Sequence, residues 1–600
     1  MGRLSVAVSE ATDHLLRHPI VPSRLCGQLP RMSTTVELEP SPVLSGAEAL
    51  KVSSRGLRGS VAAEIAGHPR GGVSEAAYSL LKFHGTYEQF DRDTATGRKQ
   101  AGLDKEWQFM VRVRAPGGVM TAAQYLALDD IAGRYANGTL KITTRQGLQF
   151  HGTVIDDLKP GIAAINRALM TTYAACGDVV RNVMTTPAPQ RDAIHMRLRA
   201  DATMLSERLL PHSRGYYEIF LDEPGDDSAP AEDEPVYGAT YLPRKFKIGL
   251  VHFSDNTVDV LANDLGLVAV FEGEVLQGYQ VFVGGGQGMT HNNPRTYPRV
   301  ATAVGFVGPD QLWDATVAVI ALQRDNGDRG NRRRARLKYV VDDHGLPWVR
   351  DQLIQTYGLD LQPSRELPPF QVPELLGWHE QGDGMLWLGI PVDAGRIAGS
   401  LRTALREAVE RFGANVVFTP QQDILLTDIR PSDREMLSEL FQHHGVTWAE
   451  ELSPVSRWAL ACTALPFCGL ALTEAERVRQ PIVAVIEAAL SRHGMAQERL
   501  SLRIAGCPNG CSRPYTGDIG LVGRVPGQYA VFVGGDFAGT RLSSKLLEKV
   551  PLADLGGTLD PLFGAWAAVR LAGEGFGDFC NRIGIPALLA LVPSPLRDEG

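Results

Sequence analysis

The sequence repeats itself. GLVAVFEGEVLQGYQVFVGGG (266–286) and GLVGRVPGQYAVFVGGD (520–536) share GLV, a glycine, a tyrosine and VFVGG in the same order, the second copy being four residues shorter. Matches about 250 residues apart mark a duplicated unit, so two halves of the chain must fold alike. Upstream of each copy the pattern switches between alternating and helical periods: FMVRVRAPGGVMTAAQYLALDDIAG then TLKITTRQGLQFHGT in the first half, LWLGIPVDAGRIAGSLRTALREAVERFG then NVVFTPQQDILLTDI in the second. Strand, helix, strand is the signature of α+β units. An α+β chain is expected, with two small and two larger modules in pseudo-twofold relation.

At 600 residues the length suits about four domains. A hydrophobic fraction of 44% with 21% charged residues is that of a globular protein, and no apolar run reaches the ~20 residues a bilayer span needs. The net charge of -8 speaks against a nucleic-acid binder, which needs a basic face. Residues 1–31 lack the long apolar stretch of a secretory signal, and Glu10 and Asp13 weaken a transit-peptide reading; a disordered extension, or an upstream start with Met32 as the alternative initiator, is expected. The acidic, Pro-rich DEPGDDSAPAEDEPV (222–236) reads as a solvated loop.

Seven cysteines, an odd and sparse set, fit a reducing, cytoplasmic compartment better than a disulfide framework. Four of them cluster as Cys462, Cys468, Cys507 and Cys511, in ACTALPFCGLALTEAER and RIAGCPNGCSRPYTGDIG. The C-x2-C knuckles of a zinc site are missing, while an iron-sulfur cubane is a larger body that tolerates wider spacing. Gly506, Pro508, Gly510 and Pro466 flank the thiols as turn formers would around a cluster. The corresponding stretch of the first half, 253–261, has no cysteine, so a metal centre is expected in one half only.

A second constellation is cationic: Arg92, Arg112, Arg114, Arg145, Lys245 and Lys247 lie at Gly-rich or apolar strand ends. Lys245 and Lys247 fall on one face of a strand. Together these groups suit an anion-binding cavity.

The cysteine spacings C-x5-C and C-x3-C, with KFHG, TTRQGLQFHG, YLPRKFK, ANDLG, VGGG, QRDNG and GEGFGDF in this order, resemble the sirohaem and iron-sulfur sulfite reductase family, closest to its assimilatory haemoprotein subunits, from about residue 75 to about 590. The resemblance implies a duplicated nitrite/sulfite reductase fold: an extension (1–74), a ferredoxin-like half-module (75–155), a sirohaem-binding α+β domain (156–345), a linker and second half-module (346–445), and a second α+β domain carrying the cluster (446–600). It implies that Cys462, Cys468, Cys507 and Cys511 ligate a [4Fe-4S] cluster, Cys511 also being the axial ligand of sirohaem. Arg92, Arg145, Lys245 and Lys247 match the cations that hold sulfite. Arg112 and Arg114, with the loop from 284 to 299 that begins Gly284, Gly285, Gly286, would meet the sirohaem carboxylates. Tyr87 and Cys176 match residues that some ferredoxin-dependent relatives join by a thioether.

Nitrite reductases share the scaffold and typically carry Asn at the position of Lys247, so two lysines favour the more highly charged sulfite; nitrite reduction is the alternative activity, and a non-catalytic iron-sulfur electron carrier a third reading. Gln421 and Asp423 stand in FTPQQD where close relatives carry an Asn-rich segment, which would alter a cofactor contact. No Rossmann G-x-G-x-x-G or flavin module is evident, so electrons come from a partner, an NADPH-oxidising flavoprotein or a ferredoxin. The basic run RDNGDRGNRRRARLK, with Arg332, Arg333, Arg334 and Arg336, reads as a solvated face, a contact for cofactor carboxylates, or a docking site for an acidic redox partner.

Overall fold

The computed structural model describes residues 44–67, 71–223 and 234–597, within which the strands form four five-stranded sheets. The readings of residues 1–31 and of most of the acidic loop fall outside the described residues. Trp107–Val113 shows why the first half-module forms: alternation buries Phe109, Val111 and Val113 and leaves Arg112 on the opposite face. This strand lies between Thr86–Phe90 and Leu148–Thr153, followed by Leu140–Ile142. The second half-module repeats the order with Gly377–Glu380, Leu386–Ile390, Ile424–Ile429 and Asn415–Phe418.

Each half-module is completed by a strand from the other. Arg396–Ile397 pairs with Leu140–Ile142, and Val119–Met120 pairs with Asn415–Phe418. The crossings need glycine. Gly118 has φ +80° and a Cβ there would sit 2.1 Å from the Phe418 carbonyl oxygen; its twin Gly395, at φ +76°, would meet that of Ile142 at 2.5 Å. The exchange makes the two half-modules one body.

The larger domains are also twins. Met184–Thr185, Ile248–His252 and Leu265–Glu272 run parallel, then Val275–Val283 and Thr302–Val307 return antiparallel. In the second domain Ala459–Ala461, Leu502–Ala505 and Ile519–Val525 run parallel before Gln528–Val533 and Ser544–Pro551 return. The sequence repeat is the hairpin at the centre of each sheet. One apolar core runs from Leu57 to Phe441, and a second is built mainly from residues between Val455 and Val592.

The fold begins earlier than the sequence suggests. Gly46–Ser53 and Val61–Gly67 are helices, and Leu57 and Val61 are fully buried in the larger core. An extension running to residue 74 is therefore too long.

The register equates the loop after Ile248–His252 with the loop after Leu502–Ala505, which carries Cys507 and Cys511. In the first half that loop supplies Asp259, buried between Arg503 and Arg513 of the second. Burial alone would push the Asp259 carboxyl up, but the two guanidinium groups hold it below the usual carboxylate range. Gln421 lines a space of only about 10 Å³ beside this ion cluster, and Asp423 accepts from the Val392 N–H (3.0 Å). Removing one member of a buried charge set leaves the others unpaired, so Asp259→Ala is expected to lower stability by about 3–5 kcal/mol, read by denaturant unfolding. Because the native pKa is depressed, the ionic contribution is complete above the unfolded-state pKa and is lost as pH falls through the native one.

Candidate functional site

Cys462 follows Ala459–Ala461, Cys468 lies six residues on, and Cys507 and Cys511 follow Leu502–Ala505, so two adjacent parallel strands deliver all four thiols to one end of a sheet. The first half of the chain clamps their loops. Thr144 Oγ1 donates to the Cys511 carbonyl (2.8 Å), Arg513 Nη1 to the Thr144 carbonyl (2.8 Å), and the Met289 N–H to the Pro508 carbonyl (3.0 Å). Sulfur itself is a hydrogen-bond acceptor here: the Gly506 N–H points at Cys462 Sγ (3.2 Å) and Asn509 Nδ2 at Cys507 Sγ (3.5 Å).

Burial pushes the Cys462 thiol well above its usual pKa, and the nearby Cys511, Cys507 and Cys468 raise it further. Cys468 is raised by the same causes, and Cys507 is pushed up to about 12. Four thiolates in such a place need a strongly positive body between them. Among the described residues no three His, Cys, Asp or Glu side chains converge as a single metal ion requires. Four thiols within electrostatic reach, yet too spread for one ion, fit a multi-iron cluster.

Lys245 and Lys247 lie just before Ile248–His252. Burial first and neighbouring cations second push both ammonium groups far below the usual lysine pKa, Arg244 and Arg181 acting on Lys245, Arg145 and Arg336 on Lys247. Among the described residues neither ammonium has a carboxylate partner within ion-pairing distance. Arg145 is held in place by Asn263 Oδ1 (2.7 Å) and the Asn182 carbonyl (2.7 Å), with Nε unpartnered, and burial lowers its pKa to about 9. Asp264, wholly buried, accepts the Lys247 N–H (2.9 Å) and both arms of Arg336 (3.0 and 2.7 Å). The ANDLG motif thus aims the cations: Asn263 sets Arg145, Asp264 sets the lysine strand.

Cys511 links the two constellations. Its carbonyl accepts from Thr144 Oγ1, and Thr144 precedes Arg145, so the cysteine loop adjoins the cation cavity.

Two expected site residues lie elsewhere. Arg92 Nη1 donates to the carbonyls of Cys468 and Gly469 (3.3 Å each), binding the cysteine loop rather than standing with the lysines. Arg114 is buried, both its Nη groups taken by the carbonyls of Ala174, Val180 and Ser206 and by Ser206 Oγ. Arg112 donates to Cys176 Sγ (2.6 Å), and Arg181, missed in the sequence, reaches the Tyr87 hydroxyl (3.4 Å) with a buried, unpartnered Nε. Arg181 lies outside the named strands, three residues before Met184–Thr185, so no alternation pattern points to it.

The triple-glycine loop packs against these groups. A Cβ on Gly285 would meet the Leu261 carbonyl oxygen at 2.2 Å, and one on Gly286 would strike the Arg336 guanidinium at 2.6 Å. Gly284 donates to the Asp264 carbonyl (2.9 Å).

The basic run is mostly spent within the chain. Arg332 pairs with Asp178 (2.8 Å), Arg334 with Asp343 (2.6 Å) and Arg336 with Asp264, leaving Arg333 exposed. Three of the four arginines are thus paired within the chain, which leaves Arg333 as the exposed member for a docking contact. Arg336→Met is expected to slow turnover driven by a protein donor and by reduced methyl viologen alike, whereas Arg333→Ser should change neither; a loss confined to the protein-driven assay in either variant would make the run a docking face.

Comparison with known proteins agrees with this geometry. The sequence pattern described as "Nitrite/Sulfite reductase ferredoxin-like half domain" matches residues 103–168 and 379–444, the two exchanged half-modules. That described as "Nitrite and sulphite reductase 4Fe-4S domain" matches residues 176–360. The chain is 44% identical over 561 residues to the "Sulfite reductase [NADPH] hemoprotein beta-component" of Myxococcus xanthus, covering 93% of this chain and 99% of that protein. It is 45% identical over 558 residues to the protein so named in Xanthomonas campestris, covering 91% and 97%. The chain belongs to the sulfite reductase haemoprotein family. It is therefore an oxidoreductase of the duplicated nitrite/sulfite reductase fold. The solved NirA protein of Mycobacterium tuberculosis shares that fold with a TM-score of 0.76 at 24% identity, covering 91% of this chain and 97% of that one. Membership implies sirohaem and a [4Fe-4S] cluster, and the unpartnered cations and clustered thiols fit both. No helix among the described residues is long and apolar enough to cross a membrane.

Proposed function

We propose that this chain reduces sulfite to sulfide, a six-electron reaction in which the three oxygens leave as water, at a cavity walled by Lys245, Lys247, Arg145 and Arg181. The observation that supports this reading is the hydrogen bond from Thr144 Oγ1 to the Cys511 carbonyl (2.8 Å), which sets the cysteine loop beside Arg145 of the cation cavity. Cys462, Cys468, Cys507 and Cys511 would hold the cluster, and Cys511 would also ligate the sirohaem iron. The cofactors, when bound, supply the electron path and the iron to which sulfur binds.

The residues supply charge and protons. Lys245 and Lys247, without carboxylate partners, hold the oxyanion; its negative charge offsets the repulsion among the cations. Ammonium groups with pKa values lowered by burial release protons readily, which suits them to protonate departing oxygens. Arg145 Nε, buried without a protein partner, would be a donor for cofactor carboxylates, with Arg112 and the loop at Gly284, Gly285 and Gly286 beside it; Arg92 and Arg114 are given structural roles instead.

Electrons come from a separate partner. The printed names of the relatives, an NADPH enzyme with a beta-component, favour an NADPH-oxidising reductase over a ferredoxin. The sparse cysteines suit a cytoplasmic setting. The test is steady-state reduction of sulfite and of nitrite with reduced methyl viologen: kcat/KM higher for sulfite is expected, and a clear preference for nitrite would assign the alternative activity.

A further inference from the structure

The segment that carries Lys245 and Lys247, just ahead of Ile248–His252, is approached through four successive backbone carbonyls, each taken by a long polar side chain, one from the helix at Gly46–Ser53 and three from residues 323–332. Arg329 Nη2 donates to the Tyr241 carbonyl (2.8 Å), Lys51 Nζ to that of Leu242 (2.9 Å), Arg332 Nη1 to that of Pro243 (3.4 Å), and Gln323 Nε2 to that of Arg244 (2.8 Å). Carboxylates tie the donors to one another. Glu48 accepts from both Lys51 and Arg329, and Asp178 accepts from Arg332 and lies 3.8 Å from both Lys51 and Arg244. The Asp178 carbonyl also receives the Leu242 N–H (3.0 Å).

Glu48 and Lys51 are 2% and 3% exposed, on a helix of otherwise modest packing. A buried ion pair is a poor source of net stability, since desolvation cancels most of the attraction, and its best attested use is to specify one arrangement. Here the arrangement specified is the backbone entering the lysine strand.

We infer that the Glu48, Lys51, Arg329, Asp178 and Arg332 network is a positioning device for sulfite recognition, holding the backbone from Tyr241 to Arg244 so that the Lys245 and Lys247 ammonium groups converge on the anion. The inference rests on the reading of those two lysines as the sulfite-holding cations. It gives the segment at residues 46–53, and part of the basic run, a role in substrate affinity at a distance from the substrate. None of these five groups needs to touch sulfite or cofactor.

Geometry and net charge make opposite predictions for a pair of variants. Lys51→Met removes a positive charge and Glu48→Gln removes a negative one. If they acted only through the field at the cavity, the first would weaken sulfite binding and the second would strengthen it. If they act by holding the strand, both weaken it.

The experiment uses the purified, cofactor-loaded chain. Sulfite affinity is measured by absorbance titration of the oxidised protein, and KM and kcat are measured with reduced methyl viologen. Both variants are expected to raise the sulfite Kd and KM, by roughly tenfold for Lys51→Met, the lower end expected from one hydrogen bond to a charged group, and by less for Glu48→Gln, with kcat within about twofold. Lys51→Arg, which can still reach the carbonyl, is expected to restore most of the affinity. In a Lys245→Met background, Lys51→Met should add little further loss, because its effect passes through that lysine. Unchanged Kd in both single variants, whatever happens to the unfolding temperature, would overturn the inference, as would shifts of opposite sign. If Lys51→Met does not fold, Glu48→Gln alone decides, since field and geometry give it opposite signs. If Lys245→Met and Lys247→Met themselves leave Kd unchanged, the reading of the site fails, a result distinguishable from failure of the network.

Discussion

Cys511→Ser is expected to lower sulfite turnover by at least about a thousandfold, about 4 kcal/mol of barrier, and to change the spectra of both prosthetic groups together. The reason is geometric. Among the four clustered cysteines, Cys511 is the one whose backbone is bound by Thr144, the neighbour of Arg145 in the cation cavity. A serine hydroxyl is a poor soft-metal ligand, and iron-sulfur clusters are held by thiolates. Cys462→Ser and Cys468→Ser should disturb the cluster first, leaving a haem spectrum in the fraction that retains sirohaem. The check is absorbance and electron paramagnetic resonance on the three variants prepared side by side. Equal effects of all three on the haem would remove the distinction drawn for Cys511.

Lys247→Asn is expected to lower kcat/KM for sulfite by about tenfold to a hundredfold, the range of a charge-assisted hydrogen bond lost in a desolvated site, while nitrite falls by no more than about threefold. Sulfite as a dianion needs compensation from more than one cation; nitrite carries a single charge and retains a polar contact from asparagine. The Lys247 N–H and strand position are secured by Asp264 independently of the side chain, so the backbone should stay in place. Methyl viologen assays on both anions measure it. An equal loss on both would make Lys247 a general proton source or a structural residue.

The duplication was legible because the repeat lies in the central hairpins, where apolar alternation is strongest: Leu267, Val281, Leu521 and Val531 are all fully buried. The exchange of Val119–Met120 and Arg396–Ile397 was not legible, since a two-residue strand carries no periodicity. Cysteines declare themselves by type and spacing, and the structure brings all four to one end of a sheet. Cations do not. As single residues Arg92, Arg114 and Arg145 look alike, and only the fold shows donors of the first two taken up by carbonyls of Cys468 and Ser206. Arg181 carried no motif of its own and was found by its unpartnered Nε.

Charge runs were the least legible feature. GNRRRARLK has the look of a solvated face, yet Asp178 and Asp264, from distant parts of the chain, neutralise Arg332 and Arg336, and Asp343, nine residues on, pairs with Arg334. Residues 44–67 misled in the opposite sense: short helices around small residues, without a strong apolar stripe, gave no sign that Glu48 and Lys51 are buried. In both cases the deciding partner is remote in sequence, which local pattern does not encode.

The central claim is that one thiolate, that of Cys511, joins the iron-sulfur cluster to the haem at a cationic sulfite cavity. Mössbauer spectroscopy of the iron-57-enriched, oxidised protein tests it most directly. The account predicts that the cluster irons, together with the haem iron, behave as one magnetically coupled system, and that the coupling disappears in Cys511→Ser. Cluster and haem signals that are independent in the unaltered protein would contradict it.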